Sequence, residues 1–179
     1  DNDFRFPLNV NVEQSLKKIL KLNKNYVGIA PGAGEKNKVW PIKNYIEICR
    51  YLESKDCILI FYLGPNEKEY EEVLKSNFQK AIFLENELLL NKYSNIEIIM
   101  TSTKFLKFAI SNDSGVSHML STNYCPLIKL FGPKDSKKFT PKIKNLITIS
   151  SSEVNSDRVE DIKVSRVIKT IEDMKFVNV

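Results

Sequence analysis

Short, largely apolar runs recur along this chain, separated by stretches of helical periodicity. The runs fall at residues 26–30, 57–63, 81–84, 105–111, 126–131 and 146–149. A strand with one wet face would alternate polar and apolar residues, whereas a near-continuous apolar run belongs to a strand buried on both faces. The stretches between them read as helices. Residues 12–22 place Val12, Leu16, Ile19 and Leu20 on one face, and residues 43–54 turn Ile46, Ile48, Tyr51 and Leu52 inward. Residues 67–76 form a polar surface helix, and further helices are expected at 95–103, 114–122 and 164–174. Strands that alternate with helices build a parallel sheet covered on both faces. The expected fold is therefore α/β, a Rossmann-like domain, and its ligand site belongs in the loops beyond the carboxyl ends of the strands.

Composition narrows the classes of function. With 42% hydrophobic residues, the 179-residue chain can bury a sizeable core, and its 27% charged residues are ordinary for a globular protein. No apolar run approaches the roughly 20 residues of a membrane helix, and no signal peptide is visible. The formal charge of +5 comes from lysines spread along the chain, not from the dense basic stripe of a duplex-binding protein, so no nucleic-acid partner is expected. Attraction to anionic ligands or to an anionic membrane surface stays open. The three cysteines, Cys49, Cys57 and Cys125, form no close pair, and Cys49 and Cys57 read as core thiols of a reducing compartment. One histidine and scattered cysteines supply no zinc site. The chain opens on Asp1 and not on methionine, as a fragment would.

Four loops at successive strand ends are candidates for chemistry. Pro31-Gly32-Ala33-Gly34 follows the first strand; its small residues let backbone amides approach a phosphate, and an ordinary tight turn is the competing reading. Lys38-Val39-Trp40-Pro41 comes next. Lys38 is placed to reach a phosphate as a point charge, Trp40 reads as a packing anchor, and Pro41 suits a helix start. The run from Ser111 to His118 is the most informative. Asp113 or Ser114 can cap the helix that starts there, while free amides and the positive dipole end face a diphosphate. Asp113 can accept from sugar hydroxyls, and His118 can donate to a sugar or phosphate oxygen. The fourth, Phe131-Gly132-Pro133 with Phe139-Thr140-Pro141 beyond it, either closes over a ligand or is a surface turn.

Taken in order, these segments resemble glycosyltransferase family 9, the lipopolysaccharide heptosyltransferases. "PGAGEKNKVWP" is similar to the family's small-residue loop followed by K-x-W-P, "SNDSGVSHM" to its N-D-S-G-x-x-H signature, and "PLIKLFGP" with "FTP" to its later segments. Order and spacing agree across residues 26–141, closer to the heptosyltransferase II branch than to the I branch.

The resemblance implies the C-terminal half of a GT-B enzyme. Residues 1–24 would be an interdomain segment with a short helix and residues 25–179 the sugar-nucleotide domain. An N-terminal half, absent from this chain, would bind the acceptor and supply the base. By position, Asp113 would bind hydroxyls of the donor heptose, the backbone at Ser114, Gly115 and Val116 would hold the diphosphate, and His118 would contact sugar or phosphate. Lys38 would stabilise the departing diphosphate, residues around Gly32, Ala33 and Gly34 would line the phosphate pocket, and Glu67 would meet the ribose, with Asn66 or Glu69 as substitutes. The first loop matches loosely, since family members often carry a hydroxyl or a further glycine there. The implied reaction is metal-independent, inverting transfer from a nucleotide sugar such as ADP-heptose to a lipopolysaccharide acceptor, without cofactor, in the cytoplasm or at the cytoplasmic face of the inner membrane. Alternatives are a GT-B sugar-nucleotide epimerase, a stand-alone nucleotide-binding module, and a structural α/β domain whose loops are only turns.

Overall fold

The structure, a computed structural model, describes residues 7–64, 67–123, 125–132 and 145–176. Six parallel strands form one sheet: β1 (Asn25–Ala30), β2 (Cys57–Phe61), β3 (Ile82–Phe83), β4 (Leu106–Asn112), β5 (Leu127–Phe131) and β6 (Leu146–Ser150), in the spatial order β3-β2-β1-β4-β5-β6. The order runs outward in both directions from β1 and β4. Successive connections therefore leave for opposite edges, and a crevice opens between the ends of these two strands. β4 is buried along nearly its whole length, and β1 is buried after its first residue, as expected of central strands in a two-sided sheet.

Helices cover both faces. On one lie α2 (Ile42–Ser54), α3 (Lys68–Asn77) and α6 (Val164–Asp173), packed through Tyr45, Ile48, Leu52, Leu74, Val167 and Ile171 onto Val27, Ile29, Phe61, Phe108, Ile110 and Ile128. On the other lie α1 (Val10–Ile19), α4 (Asn95–Ser102) and α5 (Gly115–Leu120), whose Val12, Leu16, Ile98 and Leu120 pack with Tyr26, Ala30, Ile60, Ala109 and Leu127. Val12, Leu16 and Leu20 are fully buried, so the first helix is bound into this second core. In the middle of β1, Gly28 leaves room for the side chains packed on that face: a Cβ there would stand 2.9 Å from Leu106 Cδ1 and 3.0 Å from Tyr62 Cε2.

Several details depart from the sequence expectation. α1 starts earlier than residue 12, because the Asn9 side chain accepts from the amides of Asn11 and Val12 and caps it there. The buried stripe of α2 is Tyr45, Ile48, Cys49 and Leu52, spaced i, i+3, i+4, i+7, while Ile46 and Tyr51 are only partly buried at its flanks. β3 shrinks to two residues, since it is an edge strand paired only with Ile60 and Phe61, and the chain then winds through 3-10 turns at Leu84–Asn86 and Leu88–Leu90. Two further 3-10 turns, Ser151–Val154 and Val159–Asp161, fill the stretch before α6. All three cysteines are buried free thiols. No helix of the described residues is long and apolar enough to cross a membrane.

Candidate functional site

The ends of β1, β2, β4 and β5 bring the sequence candidates to one edge of the sheet. Asn112, the last residue of β4, organises the middle of it. Its side chain is fully buried: Oδ1 accepts from the Trp40 amide at 3.2 Å and from the Tyr45 hydroxyl at 3.0 Å, and Nδ2 donates to the Pro31 carbonyl at 2.6 Å. One amide group thus fixes the loop after β1, the entry to α2 and the end of β4 against one another. Trp40 is buried as expected of an anchor; its indole N–H donates to the Ile162 carbonyl at 2.9 Å and its ring meets Tyr45 edge-on. Pro41 stands at the cap position directly before α2.

Glu67 reaches back from the end of β2 to the loop after β1. Its Oε2 accepts from the Gly64 amide at 2.5 Å, and a Cβ added at Gly32 would overlap its carboxyl group. The glycine at 32 therefore leaves space that the Glu67 carboxylate fills. Glu69 points from the first turn of α3 and is exposed, whereas Asn66 lies outside the described residues. Among the described residues nothing lies within 4 Å of a Cβ built on Gly34 or Gly115.

Ser114, and not Asp113, caps α5. Its hydroxyl accepts from the Ser117 amide and the Ser117 hydroxyl accepts from the Ser114 amide, a reciprocal capping box. The helix covers residues 115–120, shorter than the expected 114–122, and Gly115 and Val116 form its first turn. Asp113 is left to a different partner. Its Oδ1 lies 2.7 Å from Nζ of Lys129, a lysine in the middle of β5 whose side chain is only 2% exposed. In register Ser111 pairs with Lys129 across β4 and β5; the alternation of a strand puts Ser111 and Lys129 on the α5 face and Asn112 on the other, and Asp113 follows directly after β4. The ammonium also lies 4.9 Å from the centre of the Phe131 ring. His118 belongs to the same cluster: partial desolvation of its ring lowers its pKa from the ordinary 6.5, the Lys129 charge lowers it further, and Asp113 opposes the shift.

Lys38 sits on the 3-10 turn Lys36–Lys38, half-buried, with Nζ 2.5 Å from the Glu35 carboxylate. An anionic ligand there would share the ammonium with Glu35. Beside this turn a cavity of about 280 Å³ opens between Lys36, Asn37 and Val39 and the segment from Asp157 to Glu160. Gly132 packs against Val159, where a Cβ would meet Val159 Cβ at 3.0 Å. Of the fourth loop only Phe131 and Gly132 are described; Pro133 and Phe139-Thr140-Pro141 lie outside the described residues. Among the described residues no three of His, Cys, Asp and Glu gather as a metal set. The one central residue that sequence reasoning missed is Lys129. Its signal was there, a lone charge inside an otherwise apolar run.

A parallel sheet of order β3-β2-β1-β4-β5-β6, whose switch point lies between β1 and β4, is the architecture of the Rossmann-like domains from which GT-B glycosyltransferases are built. The model of "Glycosyltransferase family 9 (heptosyltransferase)" matches residues 3–167, and the chain belongs to that family. It is similar to lipopolysaccharide heptosyltransferase 1 of Campylobacter coli, 28% identical over 91% of this chain and 49% of that protein. It thus spans about half the length of the curated relatives it matches. Among solved structures, the family 9 glycosyl transferase of Veillonella parvula superposes with a TM-score of 0.79 at 16% identity, covering 96% of this chain and 53% of that one. The E. coli heptosyltransferase WaaC with ADP-2-deoxy-2-fluoro heptose gives 0.71 at 20% identity, over 91% and 47%.

Proposed function

We propose that this chain is the donor-binding, C-terminal half of a GT-B glycosyltransferase, with residues 1–24 leading in from an acceptor-binding half outside it. The reading takes a nucleoside-diphosphate sugar, ADP-heptose in the first instance, as donor and a lipopolysaccharide core as acceptor. It is supported by the convergence of the strand-end loops on the crevice between β1 and β4, held by the three hydrogen bonds of Asn112. Family membership and the nucleotide-sugar analogue named with WaaC point the same way.

In this reading the diphosphate lies over the backbone at Gly34 and Gly115, with the first-turn amides of α5 directed at it. Lys38 exchanges Glu35 for phosphate oxygen and stabilises the charge that grows on the leaving diphosphate. Asp113 accepts from sugar hydroxyls through the oxygen that Lys129 leaves open, His118 donates to sugar or phosphate, and Glu67 meets the ribose. Inverting transfer also needs a base on the acceptor hydroxyl; this base is assigned to the other half, and the isolated domain binds donor without turning it over. Charge stabilisation by Lys38 and the amides makes the transfer metal-independent. The protein works in the cytoplasm, at the cytoplasmic face of the inner membrane where its acceptor is presented.

Calorimetric titration with ADP and with ADP-heptose, with and without a chelator, tests the proposal. Tighter binding of the sugar nucleotide, unchanged by the chelator and lost in Asp113→Ala, is the expected result. A panel in which UDP- or GDP-sugars bind and ADP compounds do not would remove ADP-heptose as the donor. Absence of binding for every nucleotide would remove the donor-domain assignment.

A further inference from the structure

Lys129 is a costly residue for its place. An ammonium buried in the middle of a strand loses its hydration, and an alanine or leucine would fill β5 without that loss. Its neighbours in register, Ser111 on β4 and Thr148 on β6, carry no charge, and its ion partner among the described residues is Asp113. The pair is asymmetric: the lysine is 2% exposed and the aspartate 15%, so the ammonium is the deeper partner and the carboxylate the one that solvent reaches. An acidic side chain there poses an electrostatic problem if a diphosphate is to lie across the neighbouring turn of α5, because like charges repel strongly in a partly dry site.

We propose that Lys129 is the positioning residue that makes Asp113 compatible with an anionic diphosphate sugar: it offsets the carboxylate charge from beneath and orients the group so that one oxygen is held and the other is free for a sugar hydroxyl. The inference rests on the donor-domain reading and adds to it a residue that acts only through Asp113. The fixed 2.7 Å contact sets the rotamer of Asp113, and the Phe131 face holds the lysine in line with it.

The test is calorimetry with ADP and ADP-heptose on the wild-type protein, Lys129→Met, Asp113→Asn and the double variant, each checked for folding by its thermal transition. In Lys129→Met the carboxylate stands uncompensated, so ADP binds about tenfold or more weakly and the preference for the sugar nucleotide falls. In the double variant the repulsion is gone, and ADP affinity returns towards wild type while the sugar preference stays lost. A lysine that only supports packing predicts the reverse, a double variant as weak as Lys129→Met or weaker, and that result overturns the proposal; unchanged ADP affinity in Lys129→Met does so too. Should Lys129→Met fail to fold, Lys129→Gln takes its place in the cycle: ADP binding that is weakened by the loss of the charge and relieved by adding Asp113→Asn is the expected result, and unchanged ADP binding, or weakening that Asp113→Asn does not relieve, sinks the idea. Wild-type protein that binds neither nucleotide overturns the donor reading itself, and is told apart because it fails before any variant is compared.

Discussion

Nζ of Lys129 lies 2.7 Å from Oδ1 of Asp113, with the cation buried and the anion partly exposed. Removing one partner of such a pair is unequal in its consequences. Asp113→Ala leaves an ammonium inside β5 with no counter-charge among the described residues, and the expected loss is roughly 3–5 kcal/mol of stability. Lys129→Met leaves a carboxylate that water already reaches and puts an apolar chain of similar length in the strand, so the loss is smaller, about 1–2 kcal/mol. Urea denaturation of both variants checks the order; equal losses would show that the lysine reaches water by another route.

Asn112 predicts a second outcome. Replacing it by alanine strips partners from the Trp40 amide, the Tyr45 hydroxyl and the Pro31 carbonyl at once. At about 1 kcal/mol for each lost bond the expected cost is roughly 3 kcal/mol, and the loop after β1 loosens with it. Tyr45→Phe removes one of the three and costs about 1 kcal/mol. Chemical denaturation gives both numbers. Hydrogen exchange at the Trp40 amide should quicken in Asn112→Ala and stay slow in Tyr45→Phe.

Much of this architecture is legible in the residues, and the parts that are not have physical reasons. Continuous apolar runs mark strands buried on both faces, and five of the six expected strands survive at nearly full length. β3 does not, because an edge strand with one neighbour ends where that neighbour ends, which local sequence does not encode. Local sequence offered Asp113 and Ser114 as equal caps for α5; tertiary contact decided between them, since Lys129 arrives from the next strand and takes Asp113, leaving the cap to Ser114. Asn112 was read only as part of a polar cluster, because its three partners lie 67 to 81 residues away in sequence. The approach of Glu67 to the first loop was not legible either: the resemblance implied a ribose contact for Glu67, and only the overlap of its carboxyl group with a Cβ at Gly32 shows how close the two lie.

That closeness makes a third prediction. In Gly32→Ala the new methyl meets the far end of a flexible side chain, so the chain folds and its melting temperature changes by only about 2–4 °C, the shift expected for a cost near 1 kcal/mol in a protein of this size. Glu67, however, must leave its place on the Gly64 amide. If Glu67 meets the ribose, Gly32→Ala and Glu67→Ala weaken ADP to similar extents, and the double variant is little worse than either. Additive losses measured by calorimetry would separate the two residues into independent sites.

His118 is the only histidine in the chain, so a single imidazole resonance reports on the cluster. Desolvation and the Lys129 charge hold its pKa below 6.5 in the folded protein, with Asp113 pulling the other way. Lys129→Met should therefore raise the titration midpoint, and Asp113→Asn should lower it further. The linkage follows in sign: as pH falls from about 6.5 the unfolded chain takes its proton before the folded one does, so stability declines with falling pH across that interval, and His118→Gln removes this part of the decline. A bound diphosphate adds negative charge near the ring and should move the midpoint up. If saturating ADP binds and leaves the midpoint where it was, His118 does not face the phosphates, and the same titration with ADP-heptose then tests its contact with the sugar.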